Sequence, residues 1–213
     1  MATSRVDRGG LPVKWLWIAI FITLLIWSGV HPKDQVTWYL EVAPALIGAA
    51  VLFWTRRSFP LTPLVYGLIL LHCAILMVGG HYTYAEVPFF DLIRDLTGGQ
   101  RNNFDKLGHF AQGFVPAMIA REIVIRRHII NGSSWRAFFI ICFCLAFSAL
   151  YELIEWWTAL VLKTGADDFL GTQGYVWDTQ SDMFMALVGA IISLLLLSRF
   201  HDRQLSAFSV VAD

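Results

Sequence analysis

Six stretches of this 213-residue chain are apolar enough, over enough residues, to cross a lipid bilayer. A spanning helix takes about 20 mostly apolar residues, because each adds about 1.5 Å against a hydrocarbon core about 30 Å thick. The stretches fall at roughly 14–31, 37–54, 61–80, 107–125, 136–162 and 182–199. Lipid offers no hydrogen bonds to a backbone, so each stretch must satisfy its own amides as a helix. The expected fold is an all-α integral membrane protein with six transmembrane helices, a single polytopic domain over residues 1–213. Composition points the same way: 57% of the residues are hydrophobic and 15% charged, whereas soluble chains carry about 25% charged residues. The 16 basic and 16 acidic residues cancel, which leaves no basic surface for nucleic acid.

Arg5, Arg8 and Lys14 precede the first stretch as they would in a secretory signal, but Ile26-Trp27-Ser28-Gly29-Val30-His31 is a poor cleavage site. The stretch therefore reads as a retained span. With the N-terminus inside, the inner segments hold Arg5, Arg8, Lys14, Arg56, Arg57, Arg121, Arg126, Arg127, Arg136, Arg199 and Arg203. Only Lys33, Arg94, Arg101, Lys106 and Lys163 remain outside, the bias expected of an N-in, C-in protein. The expected location is a membrane, crossed several times. Cys73, Cys142 and Cys144 all lie inside apolar runs and read as small core residues without a function.

Two outer loops are long. In residues 81–106, Phe89, Leu92, Ile93 and Leu96 recur at i, i+3, i+4 and i+7 after Pro88, which predicts a short interfacial helix with Asp91, Arg94 and Asp95 on its other side. Residues 163–181 are rich in glycine and polar groups and read as irregular.

The acids divide with the topology. Asp7, Glu122, Asp202 and Asp213 are inner; the other twelve of the sixteen lie at the outer face or in the outer leaflet. Where span four begins, Asp105, His109 and Gln112 are spaced to share a helix face, beside Lys106. Late in span five, about 22 Å along the helix from Ala137, come Glu152 and Glu155. Asp178, Gln180 and Asp182 open span six, and His81 ends span three at a similar depth. Glu41 reads equally well as a snorkelling acid, and His72, near the midplane, as a satisfied core group. Each group has a bland explanation as a cap or a headgroup contact. Four spans bringing such groups to one depth, however, points to a buried site, since ionisable residues inside membranes mark functional sites by default.

At these motifs the chain resembles the YjdF-type bacterial inner-membrane proteins, a family of unknown function. The likeness runs through Phe104-Asp105-Lys106-Leu107-Gly108-His109-Phe110, Tyr151-Glu152-Leu153-Ile154-Glu155-Trp156 and Gly171-Thr172-Gln173-Gly174-Tyr175-Val176-Trp177-Asp178-Thr179-Gln180-Ser181-Asp182. More distantly it is similar to VanZ-like proteins, which are associated with glycopeptide resistance. Asp105, Lys106, His109 and Phe110 match that pattern, while Glu155 stands in place of its Gln and Ala186 in place of its Asn. That likeness bears on membrane location and on the choice of polar positions.

The leading expectation is a membrane-embedded, metal-assisted hydrolase or transferase acting on a lipid or lipid-linked substrate at the outer face. Asp105, His109, Glu152, Glu155 and Asp182 are the candidate catalytic residues. His81, Lys106, Gln112, Asp178 and Gln180 are candidates for substrate contact or support. Asp105, His109, Glu152 and Asp182 form a ligand set suited to a divalent metal such as zinc, manganese or iron. A proton-coupled carrier, or a non-catalytic envelope protein with a polar packing core, are the alternatives.

Overall fold

The computed structural model describes residues 11–162 and 173–209, and within them every regular element is an α-helix. The helices are α1 (Leu11–Gly29), α2 (Gln35–Thr55), α3 (Pro63–Tyr82), α4 (Pro88–Thr97), α5 (Phe104–Arg126), α6 (Ser133–Leu162) and α7 (Asp178–Ser209). Each apolar stretch read from the sequence becomes a helix, with boundaries displaced by a few residues. The largest change is in α7, which starts four residues early and runs ten beyond the expected end at 199. The reason is polar: Asp178, His201, Asp202 and Gln204 are held by neighbouring helices rather than released to loops. The glycine-rich segment 163–172, the basic residues Arg5, Arg8 and Lys163, and the acids Asp7 and Asp213 lie outside the described residues.

Among the described residues, four helices are long and apolar enough to cross a membrane: α2, α3, α6 and α7. Their outward faces carry large exposed apolar side chains, among them Ile47 and Phe53 on α2, Phe139 and Phe143 on α6, and Leu195 and Leu196 on α7. Cys142 joins that outward face of α6 rather than the core, whereas Cys73 and Cys144 are buried as expected; all three are free thiols. The apolar part of α1, Lys14–Gly29, is shorter. Helix α5 has the length, 23 residues, but carries Asp105, Lys106, Arg121, Glu122 and Arg126. It tolerates them because it is the central helix, burying twelve residues against its neighbours.

Two apolar clusters flank α5. One joins α1, α2 and α3 to it through Phe21, Val42, Val65, Met77, Val115 and Met118. The other joins α6 and α7 through Ala117, Ile140, Cys144 and Ala190. Between α5 and α7 the backbones themselves meet. A Cβ on Gly113 would lie 1.8 Å from the Ala186 carbonyl oxygen, and one on Gly189 would lie 2.1 Å from that of Phe110. Only glycine lets these helices approach so closely.

Local chemistry sets the ends nearest the polar groups. Asp34 caps α2, accepting from the Thr37 amide at 2.7 Å. Helix α3 stops in the left-handed residues Thr83 (φ 59°) and Tyr84 (φ 45°), with the Tyr84 amide donating to Gly79 O. That turn swings the Tyr84 ring between α3 and α5, where Gly79 and Gly108 leave room for it. Helix α4 follows, starting at Pro88 and ending at Gly98 (φ 68°). It buries none of its residues and leaves Phe89, Leu92, Ile93 and Leu96 exposed, the amphipathic pattern read from the sequence.

Candidate functional site

His109, on the buried side of α5, stands at the middle of an acidic cluster. One turn earlier, Asp105 Oδ1 is 3.4 Å from His109 Nε2. Glu152 on α6 brings Oε1 to 3.7 Å from the same nitrogen. Asp182 on α7 completes a trio, with one donor atom from each of Asp105, His109 and Asp182 lying within 4.8 Å of one another. All four side chains are buried, as is Glu155 one turn beyond Glu152. The i, i+4 and i, i+3 spacings put each pair on one helix face, and packing turns those faces inward.

The other ring nitrogen fixes what Nε2 can do. Nδ1 is 3.1 Å from Gln112 Oε1, and a carbonyl oxygen only accepts, so Nδ1 carries the proton and donates. With Nδ1 so engaged, Nε2 faces two carboxylates, and a proton or a metal ion must lie between them. One oxygen of each carboxylate lacks a partner: Asp105 Oδ2 and Glu152 Oε1 are buried without a hydrogen bond. Cations nearest Asp105 Oδ2 are Arg101 at 3.8 Å and Lys106 at 3.9 Å, beyond hydrogen-bonding distance. Most buried polar atoms in folded proteins find a partner, so these two oxygens mark a place built for something else.

The supporting residues divide. Lys106 bridges Asp178 at 2.8 Å and Asp182 at 2.5 Å, and Arg101 also reaches Asp178, at 2.6 Å. These contacts join the start of α5 to the start of α7. Gln112 orients the imidazole. His81 does not join the site: it lies against Trp27, and its Nδ1 is 3.0 Å from Ser28 O. Its depth matches that of the site, but its direction is set by α1. Gln180 is exposed, because it falls on the opposite side of α7 from Asp178 and Asp182.

Beside the cluster is a small, partly open cavity of about 30 Å³, room for about one water molecule. Sequence reasoning left most of its wall out of the site. Glu41 of α2 is buried rather than snorkelling, and accepts from the Tyr151 hydroxyl at 3.1 Å. The Tyr84 phenol also faces Glu41; burial first and that carboxylate second hold its pKa well above the usual range, so it remains a donor. His72, read as a core group, lines the cavity too. A signal for Glu41 existed, as an acid in the outer part of a span, but α2 and α6 are far apart in the chain and only packing unites them.

A second polar centre occupies the other end of α5. Glu122, fully buried, accepts from the Thr62 amide at 3.0 and 3.1 Å, the Thr62 hydroxyl at 2.7 Å, Arg126 at 2.8 Å and His201 Nε2 at 3.1 Å. Arg121 donates to His201 Nδ1 at 3.0 Å and to Asp202 at 2.6 Å. Two arginines balance two acids there, and each oxygen of Glu122 has a donor.

Residues 13–203 match the family described as "Predicted membrane protein (DUF2238)". The chain is 54% identical over 194 residues to "Inner membrane protein YjdF" of Escherichia coli (strain K12), covering 91% of this chain and 93% of that protein. No solved structure matches.

Proposed function

Since the chain belongs to the DUF2238 family of predicted membrane proteins, we propose that it spans the inner membrane six times, N-in and C-in, and carries a metal-assisted hydrolase or transferase site at the outer face. The basic residues concentrated at the Arg56, Arg127 and Arg203 ends of the helices support this orientation. So does the α4 helix, whose exposed apolar side suits the outer interface of the bilayer. The proposed substrate is a lipid or lipid-linked molecule.

One observation carries the reading: buried His109 turns Nε2 towards Asp105 Oδ1 and Glu152 Oε1, and one buried oxygen of each carboxylate, Asp105 Oδ2 and Glu152 Oε1, has no hydrogen bond. Imidazole and carboxylates are the donors that zinc, manganese and iron take. Asp105, His109 and Asp182 would hold the ion, with Glu152 at its edge. A bound divalent ion would polarise a phosphoryl or acyl oxygen and make a bound water acidic. Gln112 fixes the imidazole from behind, as partners of ligating histidines do. Glu152 is placed to take a proton from an attacking water or hydroxyl, and Lys106 holds Asp178 and Asp182 in register with α5. The backbone-to-backbone seam of α5 and α7 supports a fixed site rather than the rocking one a carrier needs.

The test is metal content by mass spectrometry on gently solubilised protein. About one equivalent of zinc, manganese or iron is expected in the wild type and none in a folded Asp105→Ala, His109→Ala, Glu152→Ala triple variant. Equal metal in both, or none in either, overturns the metal site.

A further inference from the structure

At the end of the bundle where α2 and α5 finish, the described acids are Glu122 and Asp202, and both are taken. Glu122 is buried with a donor on each oxygen, and Asp202 accepts from Arg121. Two more arginines at this end are committed as well. Arg126 donates to Glu122 at 2.8 Å and to the Pro60 carbonyl at 2.5 Å, while Arg56 folds over the Phe53 ring and donates to the Phe53 carbonyl. Arg57 and Arg127 are different. Both are exposed, and among the described residues neither guanidinium has an acid or a hydrogen-bond acceptor.

The α2–α3 connection brings these two charges to one place. Phe59, two residues after Arg57, lies under Arg126 at 3.9 Å and Arg127 at 5.1 Å from its ring centre. Backbone hydrogen bonds order both sides of the contact. The Phe59 amide donates to Thr55 O at 2.7 Å, which carries the last turn of α2 past Arg57. Beyond Arg127 the chain turns at His128 (φ 52°), whose amide donates to Ile125 O at 3.1 Å, while that of Ile129 donates to Val124 O at 3.1 Å. That is a closed helix end, so Arg127 projects from a fixed backbone. One turn before each arginine is an exposed apolar side chain, Trp54 three residues ahead of Arg57 and Ile123 four ahead of Arg127. Charge at the rim with apolar surface beneath it is the profile of a phospholipid, and the planar fork of arginine matches phosphate oxygens two at a time. A soluble phosphate would use only the rim.

We propose that Arg57 and Arg127, set around Phe59, form a binding site for the phosphodiester headgroup of an anionic phospholipid. The site is separate from the His109 centre and does not depend on its chemistry; only its assignment to the inner leaflet rests on the orientation proposed above. Basic pockets between helix ends on the cytoplasmic side attract anionic headgroups, each arginine adding a preference of roughly fivefold. A zwitterionic headgroup brings its own cation and gains less.

The test uses the full chain in a charge-neutral detergent and native mass spectrometry with phosphatidylglycerol and phosphatidylethanolamine of identical acyl chains. The wild type is expected to retain the glycerol lipid over the ethanolamine lipid by roughly tenfold or more. The Arg57→Gln, Arg127→Gln double variant should bring the ratio to about one. Phe59→Leu, which keeps every charge but removes the ring under Arg127, should lower it severalfold. Arg136→Gln, which removes a charge at the same end of the bundle from the start of α6, should leave the ratio unchanged. If the double variant fails to fold, Arg57→Gln alone decides, by a fall of roughly fivefold. No preference in the wild type, or a preference that the folded double variant retains, overturns the proposal. An equal loss in Arg136→Gln overturns it too, by showing a diffuse attraction to charge. Inorganic phosphate at millimolar concentration should not displace the lipid; displacement would make a soluble phosphate the ligand and overturn the lipid site.

Discussion

The same two helices, α5 and α7, carry two buried polar centres that behave as opposites. Around Glu122, five hydrogen bonds reach one carboxylate, and Arg121 and Arg126 balance Glu122 and Asp202. Because arginine only donates, His201 must accept at Nδ1 and donate from Nε2, so even its tautomer is fixed. Around His109, acids outnumber cations: Asp105, Asp178, Asp182, Glu152, Glu155 and Glu41 face Lys106 and Arg101, and buried oxygens stand without donors. A saturated network stabilises the native structure, whereas an unsaturated one lowers its stability and persists for what it binds. The contrast sets the Glu122 centre, which fastens α3, α5 and α7 together, apart from the His109 centre, which is the one proposed above to be functional.

Removing one partner from the fastener should have the largest effect. Glu122→Ala leaves His201 and Arg126 facing a void and is expected to cost about 3 to 5 kcal/mol, read as a lower unfolding temperature in detergent. A variant as stable as wild type would dissolve the distinction between the centres. Asp105→Asn should matter less. In metal-free protein Oδ2 has no hydrogen bond to lose and Asn keeps an oxygen towards His109, so the cost should be about 1 kcal/mol or less, and a loss above that would make Asp105 structural. The smallest effect belongs to a carboxylate outside both centres. Asp34 caps α2, and the hydrogen bond from the Thr37 amide holds its pKa below the ordinary aspartate value of 3.8. A lowered pKa means stability that is present above 3.8 and lost as pH falls through the folded value. Asp34→Ala should therefore cost about 1 kcal/mol at neutral pH, and the difference from wild type should shrink once pH drops below 3.8. A pH-independent difference would show that the cap works through shape alone.

Much of this arrangement is legible in the chain. The apolar runs locate the helices to within a few residues, apart from α7, which the Glu122 centre prolongs. Asp105, His109, Glu152, Glu155 and Asp182 follow from acids and a histidine at helical spacing in the same leaflet. His81 shows the limit of that reasoning. Depth along a span says nothing of azimuth, and α1 turns its ring towards Ser28. Glu41 shows the converse, since a lone acid in a span has two readings until Tyr151, 110 residues away, is brought against it. Glu122 and His201 drew no functional reading at all, because each is unremarkable without the other.

What the sequence determines by itself is therefore one-dimensional. Hydrophobicity averaged over a bilayer's thickness fixes which segments are helices, and i, i+3 and i+4 spacing fixes which side chains share a face. Which faces meet is decided only in three dimensions. Gly113 and Gly189 let α5 and α7 touch backbone to backbone, Gly79 and Gly108 admit the Tyr84 ring, and these contacts set the rotation of each helix about its axis. Hydrogen bonds and charge pairing act over a few ångströms, so whether a buried acid becomes a fastener like Glu122 or keeps an unpartnered oxygen like Asp105 depends on neighbours that the linear chain does not name.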